Sequence, residues 1–173
     1  MNFTIESLTA AQVADSIDEL IELLRDSLEH GAWLGFALPL QSDEAWRYWA
    51  QVIADIDREA RVLLVARQAG QIVGAVQLEP ATTRNAVHRA EVQKLLVHSR
   101  ARRQGIGRAL MQAIGAVAFE MGRRLLVLNT RKGNHAEQLY QRLGYMQAGE
   151  IPRYTRSTDG NLNNTVFYYR FFE

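Results

Sequence analysis

The chain contains no cysteine, which removes disulfide scaffolds, thiolate metal sites and cysteine nucleophiles together. Proline is scarce, 3 in 173 residues, and no Pro- or Ser-rich tract, internal repeat or low-complexity stretch interrupts the chain. It therefore reads as a single domain over residues 1–173. No run approaches the ~20 apolar residues a membrane span requires. The opening MNFTIESLTA lacks the basic and apolar regions of a signal peptide, so the expected compartment is the cytoplasm, with no membrane partner. An excess of either charge is missing too: 20 Lys+Arg against 19 Asp+Glu leave a formal +1, which gives no general pull toward nucleic acid. His30, His88, His98 and His135 are scattered without metal-ligand spacing, so no metal is expected. There is no GxxxxGK[ST] for a nucleoside triphosphate, no GxGxxG after the first strand, and no GxSxG elbow for a hydrolase. What is present is 47% apolar residues, enough for a domain of this size to bury roughly two-thirds of its unfolded surface.

Residues 2–7 alternate as a short strand. Thr9 and Gln12 have the spacing of a capping box, and Val13, Ile17, Leu20, Ile21, Leu24 and Leu28 predict one helix ending near His30-Gly31. Ser42 with Asp43 and Glu44 opens a second helix, continued by Trp46, Trp49, Ile53 and Ile56. Residues 61–67 predict a strand, 68–71 a hairpin turn and 72–78 its partner. A polar loop follows, then a strand over 90–97. Ile106, Leu110, Ile114, Val117 and Met121 set out a helix closed by Gly122. A short strand over 125–128, a helix over 135–143 ending at Gly144, and strands over 145–150 and 165–172 finish the chain. Alternation of strand and helix is confined to the second half, which predicts an α/β (α+β) mixed sheet with helices on both faces rather than a doubly wound parallel one.

The most informative stretch is Arg102-Arg103-Gln104-Gly105-Ile106-Gly107-Arg108, directly after a strand and directly opening a helix. Glycines let backbone approach a ligand closely, and a helix start offers unpaired N–H groups with a partial positive charge, which suits a phosphate or diphosphate. The arginines add charges that can fork onto phosphate oxygens. Following AEVQKLLV, this stretch resembles the acetyl-CoA motif of the GNAT superfamily of N-acetyltransferases, Gln/Arg-x-x-Gly-x-Gly/Ala, with Arg102, Gly105 and Gly107 in place. A second signature, Ala-x-x-x-Tyr-x-x-x-Gly-Phe/Tyr, is met by Ala136, Tyr140, Gly144 and Tyr145. More narrowly, AEVQKL, the LNT segment, GEIPRY and the aromatic last strand resemble the tabtoxin-resistance-type acetyltransferases.

The resemblance implies a GNAT fold, a mixed and mostly antiparallel sheet of six to seven strands, with acetyl-CoA as co-substrate. It implies that the diphosphate lies on the amides of Gln104 to Arg108, with Arg102 and Arg103 beside it. The splayed strand at Leu95, Leu96 and Val97 would pair with the pantetheine arm, one amide there stabilising charge on the acyl oxygen. Asn134 stands one step from a position where the family often has a cofactor-binding Asn, and is otherwise a helix cap. Acetyl transfer to an amine needs a base, because an alkyl ammonium with pKa near ~10 has no free lone pair at neutral pH. Glu91 occupies a family position for that base; the alternative is pairing with an Arg such as Arg89 or Arg131. Period-two alternation puts Glu91, Gln93 and Leu95 on one side and Val92, Lys94 and Leu96 on the other. Tyr140 holds the position of the general acid for the departing thiolate.

Asn129 departs from the tabtoxin-resistance pattern, which has an acid there. The aromatic loop over residues 31–36 brings Trp33 and Phe36 as candidate acceptor-site residues, and Arg153, Tyr154 and Arg156 as candidates for an acceptor carboxylate. The expected activity is direct transfer of acetyl to a primary amine of a small molecule, amino-acid-like or toxin-like, by a monomer or homodimer. Protein or peptide acetylation, a CoA-responsive binding module without turnover, and a nucleic-acid-binding domain are the alternatives.

Overall fold

The computed structural model describes residues 2–32, 34–36, 38–157 and 159–172. Its elements are β1 (Thr4–Ser7), α1 (Ala10–Asp15), α2 (Ile17–Glu29), α3 (Ser42–Asp57), β2 (Val62–Gln68), β3 (Gln71–Pro80), β4 (Arg89–Val97), α4 (Ile106–Glu120), β5 (Leu125–Arg131), α5 (Ala136–Arg142), β6 (Met146–Arg156) and β7 (Leu162–Phe171). The strands form one seven-stranded sheet in the order β1-β2-β3-β4-β5-β7-β6. Every pairing is antiparallel except β4 with β5, so the mixed, mostly antiparallel sheet expected from the sequence is the one observed.

Helices cover both faces. The pleat of β2 separates Leu63 and Val65, which pack with α1, α2 and α3, from Leu64 and Ala66, which pack with α4 and α5. The hairpin between β2 and β3 turns on Ala69 (φ 50°) and Gly70 (φ 81°), the pair of left-handed residues that a tight type I′ turn demands.

Local expectations are corrected at the first helix, at the bounds of β5 and β6, and along β4. The single first helix is two, broken at Ser16, whose backbone leaves the helical region (φ −105°, ψ 15°) and whose hydroxyl accepts from Arg67 Nη2 at 3.1 Å. The capping box at Thr9 and Gln12 is present as read. The second helix is present as read, with Ala45, Trp49 and Val52 buried and Trp46 56% exposed. β5 runs on to Arg131, and β6 starts after Tyr145, which is buried in the core, and continues to Arg156. Finally, the alternation along β4 breaks at Lys94. Ala90 and Val92 face α4, yet so do Leu95 and Val97, whereas Leu96 packs on the α1–α3 side. The register to β3 slips between Gln77↔Gln93 and Ala75↔Leu96, and Lys94 takes up the extra residue at φ 52°. This is a β-bulge; it returns Lys94 and Leu96 to the face of Glu91 and Gln93.

Candidate active site

The sheet splits at its centre. β4 and β5 pair only over Arg89–Glu91 with Leu125–Val127, although β4 continues to Val97 and β5 to Arg131. The bulge at Lys94 bends β4 toward β3, and β5 stays with β7 along its whole length. Leu95, Leu96 and Val97 therefore line an open gap. The amide of His98 donates to Val73 of β3 at 2.9 Å, so strand alternation turns the Val97 amide the other way, toward the gap.

At the mouth of that gap α4 begins. Gly105 (φ 84°) precedes its first residue, and no side chain caps it. Arg103 is also left-handed (φ 63°). Such alternating conformations gather successive N–H groups on one concave side. Among the described residues, the amides of Gln104, Gly105, Ile106, Gly107 and Arg108 donate to no protein acceptor. Arg103 and Arg108 are exposed; Arg102 instead spans the gap's rim, donating from Nε to the carbonyl of Val97 at 3.2 Å and from Nη1 to that of His30 at 3.5 Å. Gln104 bonds Gln68 at 3.0 Å.

The helix start is seated from two sides. A side chain at Gly74 on β3 would put its Cβ 2.9 Å from Ile106 Cγ2, 3.0 Å from Leu110 Cδ1 and 3.2 Å from the Leu96 carbonyl, so glycine lets α4 lie on the sheet. Asp26 of α2 accepts from the Ser99 amide at 2.7 Å and its hydroxyl at 2.6 Å, with His98 and His30 rings each 3.3 Å from Oδ1. Burial raises the Asp26 pKa, but the Ser99 bonds and the neighbouring imidazoles outweigh it and hold the carboxyl below its usual range.

On the α1–α3 face, Glu91 stands across from Glu79. Burial, then the Glu79 charge, push its pKa up, with Gln93, Arg89 and Arg61 pulling the other way. Among the described residues it has no ion-pair partner: Arg61 gives its guanidinium to Asp55 at 3.2 Å, Glu79 at 3.0 Å and Gln77 at 2.8 Å. Gln77 donates on to the Tyr48 hydroxyl at 2.7 Å. Phe36 sits edge-on to Tyr48, centroids 5.1 Å apart; Trp33 lies outside the described residues. Asn129 is exposed on β5, beyond the last β4 pair, opposite Phe167 of β7. Tyr154 packs edge-on against that Phe167 ring at 5.5 Å, while Arg153 (φ 54°) and Arg156 are exposed on β6, the sheet's edge strand. Sequence reading passed over Lys94, Tyr48, Gln77 and Arg61; a lysine and an arginine beside strand residues were the available signal.

On the opposite face, Tyr140 of α5 is buried with its ring 6.0 Å from those of Tyr145 and Tyr168. Its hydroxyl has no protein partner among the described residues, and the Tyr145 hydroxyl beside it is buried without one. Burial pushes its pKa up to about 12. Asn134 Oδ1 accepts from the Ala136 amide at 3.0 Å, in the turn that leads into α5, and its amide nitrogen remains free of partners among the described residues.

A central strand split from its parallel neighbour, with an uncapped glycine-turned helix start at the mouth of the split, is the arrangement implied by the resemblance to the GNAT superfamily. The profile of the Acetyltransferase (GNAT) family matches residues 17–145, most of the chain, and the protein belongs to that family. As a member of that family it is an acetyl-CoA-dependent acetyltransferase. Solved structures agree in fold. The ribosomal-protein-alanine N-acetyltransferase of Brucella melitensis superposes with a TM-score of 0.80 at 23% identity, covering 98% of this chain and 99% of that one. An N-acetyltransferase from Staphylococcus aureus Mu50 gives 0.82 at 18% identity, over 100% of both chains. The Salmonella typhimurium protein yncA, assigned as an acetyltransferase and solved with its cofactor acetyl-CoA, gives 0.81 at 17% identity, over 100% of this chain and 95% of that one. Among the described residues no helix is long and apolar enough to cross a membrane, and no cluster of His, Asp and Glu could hold a metal ion.

Proposed function

We propose that the enzyme transfers acetyl to a primary amine of a small molecule, directly in a ternary complex, with Glu91 as base and Tyr140 as acid. Acetyl-CoA supplies the acyl group as a thioester. The unspent amides of Gln104 to Arg108 and the exposed arginines 103 and 108 suit its diphosphate, and the gap-facing amide of Val97 suits the pantetheine arm or the acyl oxygen. Leu95, Leu96 and Val97 form the gap's wall, Arg102 ties its rim, and Asn134 closes the α5 side.

What supports the reading is that Glu91, at the last β4–β5 pair, and Tyr140, in the core on the α4–α5 side, lie on opposite faces of the sheet. Glu91, with no ion-pair partner among the described residues and with a raised pKa, takes the ammonium proton from an acceptor that enters on the α1–α3 face. Tyr140, protonated across the working pH range, donates to the departing sulfur from the other face. No cysteine is present to hold an acyl group, which favours direct attack. The loop carrying Leu34 and Phe36 is tied over the α1–α3 face by Lys94 and Tyr48, a cover better matched to a small acceptor than to a protein chain. Phe36 and Asn129 then border the acceptor, with Tyr154 and Arg153 further out. Its test is thiol release from acetyl-CoA across a panel of small amines and acceptor peptides, in the wild type and in Tyr140→Phe. Small-amine turnover that falls 10²-fold or more in Tyr140→Phe is expected. Turnover confined to peptides refutes the acceptor class, and turnover undiminished in Tyr140→Phe removes the acid.

A further inference from the structure

Among the described residues, Lys94 forms no salt bridge. It fills the β4 bulge at φ 52°, on the face of Glu91 and Gln93, and is partly buried. Its ammonium donates to the carbonyl of Leu34 and stands 5.6 Å from the Phe36 ring centroid and 6.0 Å from that of Tyr48. An ammonium has three donor hydrogens, and one is spent. Among the described residues no carboxylate pairs with it, since Asp55 and Glu79 on the neighbouring α3 and β3 are bonded to Arg61. Lysine is seldom buried unless paired, and aromatic rings attract a cation without neutralising it. Burial, followed by repulsion from Arg61, lowers its pKa, and Glu91 pulls it back up, so the two side chains feel one another.

We propose that Lys94 supplies the counter-charge for a carboxylate on the acceptor, so that the preferred substrates are amines that also bear a carboxylate group. This rests on the small-amine reading and narrows it. The amine goes to Glu91 and the carboxylate to Lys94, three residues along the same strand, roughly 10 Å of backbone, with a long side chain to close the distance. Arg153 is on β6, three strand positions from β4, at least about 14 Å away at ordinary strand spacing. A single ammonium boxed by two rings matches a monoanion, whereas a phosphate dianion calls for the forked donors of arginine.

The test compares free amino acids and longer ω-amino carboxylates with their carboxamides as acceptors, reading kcat/KM from thiol release. Wild type is expected to prefer the carboxylate member by about 10- to 100-fold, the usual worth of a hydrogen bond to a charged group. In Lys94→Gln that preference collapses toward unity, and in Lys94→Arg most of it remains; calorimetric acetyl-CoA binding checks that each variant is folded. No preference in wild type, which needs no variant to establish, overturns the inference. So does a Lys94→Gln enzyme that loses both members by the same factor, which marks a mere loop strap. Transfer to small amines regardless of carboxylate defeats this proposal alone, whereas transfer to peptides only defeats the small-amine reading and this one with it.

Discussion

Gly74→Ala tests how the cofactor end of the site is held together. The new methyl would meet Ile106 Cγ2 at 2.9 Å, Leu110 Cδ1 at 3.0 Å and the Leu96 carbonyl oxygen at 3.2 Å. Both side chains are essentially fully buried, and the carbonyl belongs to β4, so none can swing into solvent. Overpacking of this kind costs about 1–3 kcal/mol, offset by up to about 1 kcal/mol from the stiffer unfolded chain. For a domain this long, each kcal/mol moves Tm by about 2–4 °C, so a drop of up to roughly 10 °C is expected. Ile106 is the first residue of α4, so relief of the clash displaces the amides that precede Arg108 and weakens acetyl-CoA binding as well. The matched control is Gly107→Ala, whose Cβ would lie 3.6 Å from both Leu139 and Val97, ordinary contact, and which gains helix propensity; it should melt no lower than wild type. Calorimetric melting with acetyl-CoA titration reads both quantities. A Gly74→Ala protein with unaltered Tm and unaltered affinity would refute the claim that α4 is seated by a missing side chain.

The remaining expectations concern ionisable groups. Glu91→Gln should lower kcat by about 10²–10⁴. Because burial and Glu79 raise the Glu91 pKa, its basic form appears only above that raised value, so kcat/KM should climb with pH through it. Removing the neighbouring charge in Glu79→Gln should shift this acid limb to lower pH, and a shift upward or none at all counts against Glu91 as the base. Asp26→Asn should lose about 1.5–3 kcal/mol of stability at pH 7 through its bonds to Ser99 and weaken acetyl-CoA binding. Since the folded carboxyl is held below its ordinary value, its contribution is present above that ordinary value and fades as pH falls through the folded value. Urea titrations should therefore show the gap between wild type and variant narrowing in acid, and a constant gap would exclude the ionic account.

Local signals in the chain were sufficient for some features because the groups involved are close in sequence. The capping box needs only Thr9 and Gln12. The left-handed turn into α4 needs Gly105 and the residues beside it, and the Ala136, Tyr140, Gly144 and Tyr145 pattern lies within one helix and its stop. From the last two the family, the acyl donor and the proposed acid could be read, and the proposed base, Glu91, from its place on the strand before the turn. The tertiary structure decided what depends on partners far along the chain. Which stripe of α3 is buried depends on where the sheet lies, so Trp46 could not be told from its buried neighbours. The bulge at Lys94 exists because β3 fixes the register of β4 on both sides of it, and an alternating pattern carries no mark of one surplus residue. That surplus residue turns Lys94 onto the face of Glu91, beneath a loop some sixty positions away. A strand's own residues specify that it alternates; only its neighbours specify where the alternation fails, and the acceptor side of this site is built at that failure.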